Sequence, residues 1–247
     1  MGDELKPFFK RFFDFNWKFG LFLVLLICVS RFILVLQANA TGNYGFIGLI
    51  MAASAAAPFL FLSRSGRRKI GILITKKYRS LFIAAIAGLT ASILLHYLGQ
   101  IFHGNSYENW YVYIGKSYKI PAEIDERGKA ILFTIMAITG MTFSPIGEEL
   151  FFRGIVHASF AKSIGDTKAS FVDSAAFAIT HISHFGLIFL DGQWTLLKMP
   201  ALIWVLSMFL VSIMFFLFKK HSESILGAII CHAAFNLGMI YSIFYLL

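Results

Sequence analysis

Two adjacent glutamates, Glu148 and Glu149, stand inside the apolar stretch from Ala130 to Phe160, with Arg153 four residues beyond the second. An ionised side chain at the centre of a bilayer costs at least a few kcal/mol, so such groups mark functional sites by default. On a helix Glu149 and Arg153 are i and i+4 with the acid nearer the N-terminus, the favourable order for an ion pair, while Glu148 points about 100° away. The spacing therefore predicts one paired glutamate and one free one. A free carboxylate in a medium of low dielectric is more basic than one in water, which suits a general base near neutral pH. The competing reading is a salt-bridge cluster that pins two helices.

Two further polar groups fall in apolar runs. Phe177-Ala178-Ile179-Thr180-His181 carries a histidine, and His232-Ala233-Ala234-Phe235-Asn236 places two polar side chains on one helix face. Each alone reads equally well as an interhelical hydrogen bond. Their depths coincide, however. At 1.5 Å per residue Glu148 lies about 20 Å from Phe160, His181 about 18 to 20 Å from Ala169, and His232 about 15 Å from Ser222. Three helices then bring Glu148, His181, His232 and, one turn on, Asn236 to one level, around a polar cavity near the membrane midplane.

The helices that must position these groups follow from composition. Of 247 residues 58% are hydrophobic, 28 are Phe and only 14% are charged, and the mean hydropathy is +0.74. That balance excludes an ordinary soluble domain. The expected fold is all-α, a polytopic transmembrane bundle of seven to eight helices forming one integral membrane domain over 1–247, with 1–129 as variable N-terminal helices and outer loop and 130–247 as the catalytic core. Apolar runs put the spans at Trp17 to Val35, Gly45 to Ser63, Leu81 to Phe102, Ala130 to Phe160, Ala169 to Leu190, Pro200 to Phe218 and Ser222 to Leu247. The fourth is too long for one straight crossing. Pro145 and Gly147 predict a bend or break, with Ser144 as N-cap of a new segment.

Arg64, Arg67, Arg68, Lys69, Lys76, Lys77 and Arg79 fill the second connection with no acid among them, and Lys162, Lys168, Lys219 and Lys220 flank later turns on the same side. By the positive-inside rule that side is cytoplasmic and the N-terminus lies with it, in a plasma or inner membrane. Topology and anionic lipid account for the net charge of +9, so nucleic acid is not expected as a partner. Arg31, near the outer end of the first span, is expected to snorkel. Phe8, Phe12 and Phe15 read as an interfacial helix or, nearly as well, as a disordered aromatic tail; Tyr107, Trp110, Tyr111 and Tyr113 read as an interfacial belt ahead of a substrate-contact surface, and Cys28 and Cys231 as core residues. Ala38-Asn39-Ala40 mimics a signal-peptidase site, but the long preceding run with Arg31 reads as an uncleaved anchor. Asp173 shares a face with Phe177 and His181 and could extend the Arg153 network, though its place near the cytoplasmic end favours hydration; His184, one turn from His181, could assist it or equally pack or line water; His157 receives no role.

Glu-Glu-x-x-x-Arg, then Phe-x-x-x-His, then His-x-x-x-Asn, on successive apolar helices and within Ser-Pro-Ile-Gly-Glu-Glu-Leu-Phe-Phe-Arg-Gly, resembles the signature of the CAAX prenyl protease and bacteriocin-processing membrane family over roughly Ala130 to Leu247. The resemblance implies a glutamate-dependent intramembrane endopeptidase. Glu148 would activate water with His181 holding it and passing the proton on, His232 and Asn236 would stabilise the oxyanion, Glu149 and Arg153 would brace Glu148, and Phe177 would pack. It implies no cofactor, and a membrane-associated peptide or protein as substrate. Zinc on Glu148, His181 and His232 stays open as a second reading. So do a non-proteolytic immunity or scaffold protein and a proton or solute carrier using the same cavity. The sequence leaves the oligomeric state and the side from which the cavity opens undetermined.

Overall fold

In hydrocarbon every backbone polar group must be satisfied within the chain, so apolar runs of this length fold as helices. The computed structural model describes residues 4–247. Helix α1 (Trp17–Thr41) opens on Asn16, whose side chain accepts the N–H groups of Lys18 and Phe19. It closes on Gly42 in the left-handed region. Then follow α2 (Ile47–Phe61), the short α3 (Arg64–Lys69), α4 (Tyr78–His103) and α5 (Trp110–Gly115). The second half holds α6 (Glu126–Ile164), α7 (Asp166–Thr180), the hairpin β1 (Leu187–Leu190) and β2 (Gln193–Leu196), α8 (Lys198–Ser222) and α9 (Ile225–Tyr245).

By length and composition α1, α4, α6, α8 and α9 can each cross a membrane, and the fold is an all-α polytopic bundle with one small hairpin. Helices α2 and α7 have 15 residues each, about 22 Å, short of the ~30 Å hydrocarbon core. Outward faces carry Leu94, Ile101, Phe143 and Leu210, all exposed, as lipid-facing surfaces do. Inward faces meet through small residues: a Cβ on Gly88 of α4 would overlap the Cys231 carbonyl of α9, and one on Gly147 of α6 would press on the Met51 carbonyl of α2. The second contact seats α2 directly beside Glu148.

Several sequence expectations change. Helix α6 runs through Pro145 without a break; its irregularity is a wide, π-helical turn over Leu150–Val156, and Ser144 caps nothing but gives its hydroxyl to Glu148. Neighbouring helices re-satisfy groups that a membrane proline frees, so proline alone does not end a packed helix. The run Ala169 to Leu190 is not one span. It stops at Thr180, turns through a 3-10 segment His181–Ser183, passes Gly186 at φ 115°, and enters β1. The β1–β2 strands pair antiparallel across Asp191-Gly192, both at positive φ, a two-residue turn suited to strand twist.

The aromatic loop is core rather than belt. Trp110, Tyr111 and Tyr113 are buried; the Trp110 indole donates to the Leu95 carbonyl at 3.2 Å, and Tyr111 meets the Ser92 hydroxyl at 2.8 Å. Among the described residues ahead of α1 only Phe9–Arg11 is helical, as one 3-10 turn. Phe8 and Phe12 are exposed but Phe15 is buried, so the three do not form one face. Cys28 and Cys231 are free and buried. The basic connections gather at one end of the bundle, where Glu4 bridges Lys69 and Lys162 and Lys220 meets Asp166.

Candidate active site

Glu148 and Glu149 sit in the last regular turn of α6 before the wide turn, both buried. Glu148 is not free. Its Oε1 lies 3.0 Å from Arg31 Nη2 and also accepts from Ser144. Arg31 is itself buried, so it does not snorkel; a guanidinium placed beside a buried carboxylate costs less there than either ion alone. Arg31 Nη2 is also 3.2 Å from His184 Nε2. Glu148 Oε2, by contrast, has no hydrogen-bond partner and faces His181 Nε2 at 3.8 Å.

The imidazole of His181 is oriented from behind. Its Nδ1 is 2.7 Å from the Phe177 carbonyl, a contact that requires Nδ1–H, so the neutral ring carries its lone pair on Nε2, toward Glu148. Two acceptors thus face each other across a gap wider than a direct hydrogen bond, the spacing at which a bridging water fits.

Glu149 turns the other way. Its Oε1 is 2.8 Å from His232 Nδ1 and its Oε2 is 3.2 Å from Arg153 Nε. Arg153 Nη2 donates to the Ser212 hydroxyl at 2.5 Å, and Lys219 Nζ donates to the Arg153 carbonyl at 2.5 Å. The guanidinium lies 4.4 Å from the centre of the Phe177 ring, a cation–π contact in a dry setting. Asp173 extends the network, 4.0 Å from Arg153 Nε and 2.6 Å from His157 Nδ1, and His157 Nε2 reaches Asp166 at 2.9 Å. Asp173 is fully buried rather than hydrated. His157 joins two carboxylates.

Glu148, His181, His232 and Asn236 line one cavity of about 230 Å³, together with Arg31 and His184. The depth argument brings these four side chains together as expected. Asn236 gives one amide hydrogen to the Gly140 carbonyl at 2.9 Å and keeps the other. His232 stacks on Phe215, centroids 4.6 Å apart. Among the described residues no three His, Cys, Asp or Glu side chains are grouped to hold a metal ion. Arg31 is the residue missed by reading forward from the motif, whereas His184, read as a possible helper of His181 or a water-lining group, does line the cavity. A single arginine in an otherwise apolar span was the available signal for Arg31.

A family described as "Type II CAAX prenyl endopeptidase Rce1-like" matches residues 130–238. Over these residues the chain is similar to the CAAX protease family. Glu148, Glu149, Arg153, His181, His232 and Asn236 all fall within the matched residues, whereas Arg31 reaches the same cavity from outside them. The similarity, together with five helices long and apolar enough to cross a membrane, supports an integral membrane protein with CAAX-type endopeptidase activity in general. No curated protein and no solved structure matches the chain.

Proposed function

We propose that this CAAX-type endopeptidase hydrolyses a peptide bond with Glu148 as general base, His181 as its partner on the water, and His232 and Asn236 as oxyanion donors. The observation that carries the reading is the unpartnered Glu148 Oε2 opposite His181 Nε2. A water between them donates a hydrogen to each acceptor and turns its oxygen lone pair toward the cavity. As that oxygen attacks the scissile carbonyl carbon, Glu148 takes the proton. The carbonyl oxygen becomes an oxyanion and receives N–H groups from Asn236 Nδ2 and His232 Nε2, donors worth most in a water-poor site. Collapse of the intermediate breaks the C–N bond, and the proton passes through His181 to the leaving amine.

His232 donates from Nε2 while its Nδ1–H rests on Glu149, so it acts as an imidazolium with Glu149 as counter-ion. Glu149 and Arg153 brace this arrangement without touching substrate. Arg31 and Ser144 occupy one oxygen of Glu148 and leave the other for water. The whole chain acts as one membrane domain, N-terminus cytoplasmic, in the plasma or inner membrane. With no three-ligand cluster among the described residues, activity is expected to survive exhaustive chelation of the purified protein.

The test is Glu148→Gln in detergent or lipid, assayed by mass spectrometry of membrane peptides against the unaltered protein. Cleavage is expected to disappear while membrane insertion persists, with some loss of thermal stability because the buried Arg31 loses its counter-ion. Retained cleavage overturns the base assignment; protection of a host without any cleavage by the unaltered protein points to a binding role.

A further inference from the structure

The catalytic cavity is blind in one direction. Between it and the basic end of the bundle stand Phe177 and Phe215, then Glu149, Arg153 and Asp173, all buried. In the other direction its lining continues through His184 to Tyr44, Ile114 and Ser117, in the connections at the opposite end. A second cavity of about 180 Å³ shares these same four residues and adds Asn39, Lys116 and Lys119. The two therefore adjoin, with these residues as a waist between them. The waist is built, not incidental: Asn39 Nδ2 donates to the Ser183 carbonyl at 2.8 Å, and the Tyr44 hydroxyl donates to Asn39 Oδ1 at 2.9 Å.

Both vestibule lysines are exposed. Lys116 Nζ sits 4.7 Å from the Tyr107 ring and 5.7 Å from Tyr113. Lys119 holds a left-handed backbone at φ 49°, a conformation that costs energy in a side-chain-bearing residue and persists only where the surroundings fix it. Among the described residues neither lysine is ion-paired with a carboxylate. Two unneutralised cations at the mouth of a passage raise the local concentration of anions.

We propose that substrate reaches Glu148 through this vestibule, from the membrane face opposite the basic loops, and that Lys116 and Lys119 receive an anionic group presented there. By the positive-inside rule this face is the non-cytoplasmic one. The anionic group is a peptide carboxylate or a lipid phosphate. The proposal rests on the endopeptidase reading only in calling the ligand a substrate.

Accessibility tests the route without requiring turnover. In a Cys28→Ala, Cys231→Ala background, Ser117→Cys is expected to react with a membrane-impermeant maleimide in intact cells. Lys76→Cys, in the basic loop, is expected to react only after permeabilisation. Labelling of Ser117→Cys only after permeabilisation, or not at all, overturns the route whether or not the protein cuts peptides. The lysines are then tested on purified Ser117→Cys, Glu148→Gln protein in phosphatidylcholine vesicles. A short N-acetylated apolar peptide with a free C-terminal carboxylate is expected to slow labelling roughly fivefold, the effect of about 1 kcal/mol. Its C-terminal amide is not, and Lys116→Ala, Lys119→Ala is expected to abolish the difference. Protection by added phosphatidylglycerol, lost in the same double variant, assigns the anion to lipid. Protection by neither, or protection that the double variant retains, overturns the role of the lysines.

Discussion

Glu148 and Glu149 are neighbours on one turn of one helix, both buried, and their surroundings differ in nearly every other respect. Glu149 belongs to a packed ion network, with His232, Arg153, Asp173 and His157 following one another toward the basic end. Glu148 stands on a cavity wall with one oxygen tied to Arg31 and Ser144 and the other without a partner. Burial therefore does not distinguish a working carboxylate from a structural one. What distinguishes them is whether an acceptor atom is left over and whether space for a reactant adjoins it.

The sharpest way to break that contrast is to neutralise each glutamate in turn. Glu148→Gln is expected to lower turnover by about 10³-fold or more, roughly 4 kcal/mol of transition-state stabilisation, measured on protein that is still folded, because leaving the buried Arg31 without its counter-ion also costs stability. The next effect belongs to the network. Arg153→Met leaves Glu149 and Asp173 buried without their cation and is expected to cost about 3 to 5 kcal/mol of stability. Thermal or denaturant unfolding in a defined detergent measures it. Adding Glu149→Leu to Arg153→Met should recover part of that loss, because removing both ions of a buried pair costs less than removing one. A double variant no more stable than Arg153→Met would show that the pair is not coupled.

Arg31 sets a smaller effect on the other side of the comparison. Arg31→Met is expected to reduce turnover about 10- to 100-fold, by releasing the Glu148 oxygen that it holds, with KM changed far less. Arg31→Lys restores charge but not the paired geometry to Glu148 and His184, so partial rescue is expected. An equal loss for Met and Lys, with unchanged folding, would mean that guanidinium geometry rather than charge positions Glu148.

How much of this was legible follows from what each feature depends on. The ion pair of Glu149 with Arg153 and the convergence of His181, His232 and Asn236 follow from helical spacing and depth, which are local quantities. The partner of Glu148 was not legible from the motif, because Arg31 is 117 positions away and only packing of α1 against the core joins them. The end of α7 was read as continuing helix because Ile182 to Leu190 is apolar. Asp191-Gly192 carried the hairpin signal, but hydropathy outweighed turn chemistry. Trp110 and Tyr111 were read as interfacial from their place in an outer loop, whereas their N–H and O–H groups find partners inside. In a membrane protein, composition reports solvent and element length; which polar group meets which is a property of the assembled helices.

A third acid, Glu4, extends the comparison to the rim, and there the expected effect is smallest. Its carboxylate lies between Lys69 Nζ at 2.9 Å and Lys162 Nζ at 3.2 Å, and both lysines are substantially exposed. Burial opposes its charge, but the hydrogen bonds from Lys69 and Lys162 outweigh burial and bring the carboxyl down to about 2. A carboxyl depressed on folding contributes stability that is fully present above its ordinary value near 4.5 and is lost as pH falls toward 2. Glu4→Gln is therefore expected to lower stability by about 1 kcal/mol or less at neutral pH, since exposed lysine partners are screened by water and salt. The difference from the unaltered protein should shrink between pH 5 and pH 3, and it should also shrink in high salt, as followed by melting temperature. Arg153→Met should show no such salt dependence, because its ions lie where solvent does not reach. A Glu4 effect as large and as salt-insensitive as that of Arg153 would erase the distinction between rim and interior carboxylates on which the reading of Glu148 depends.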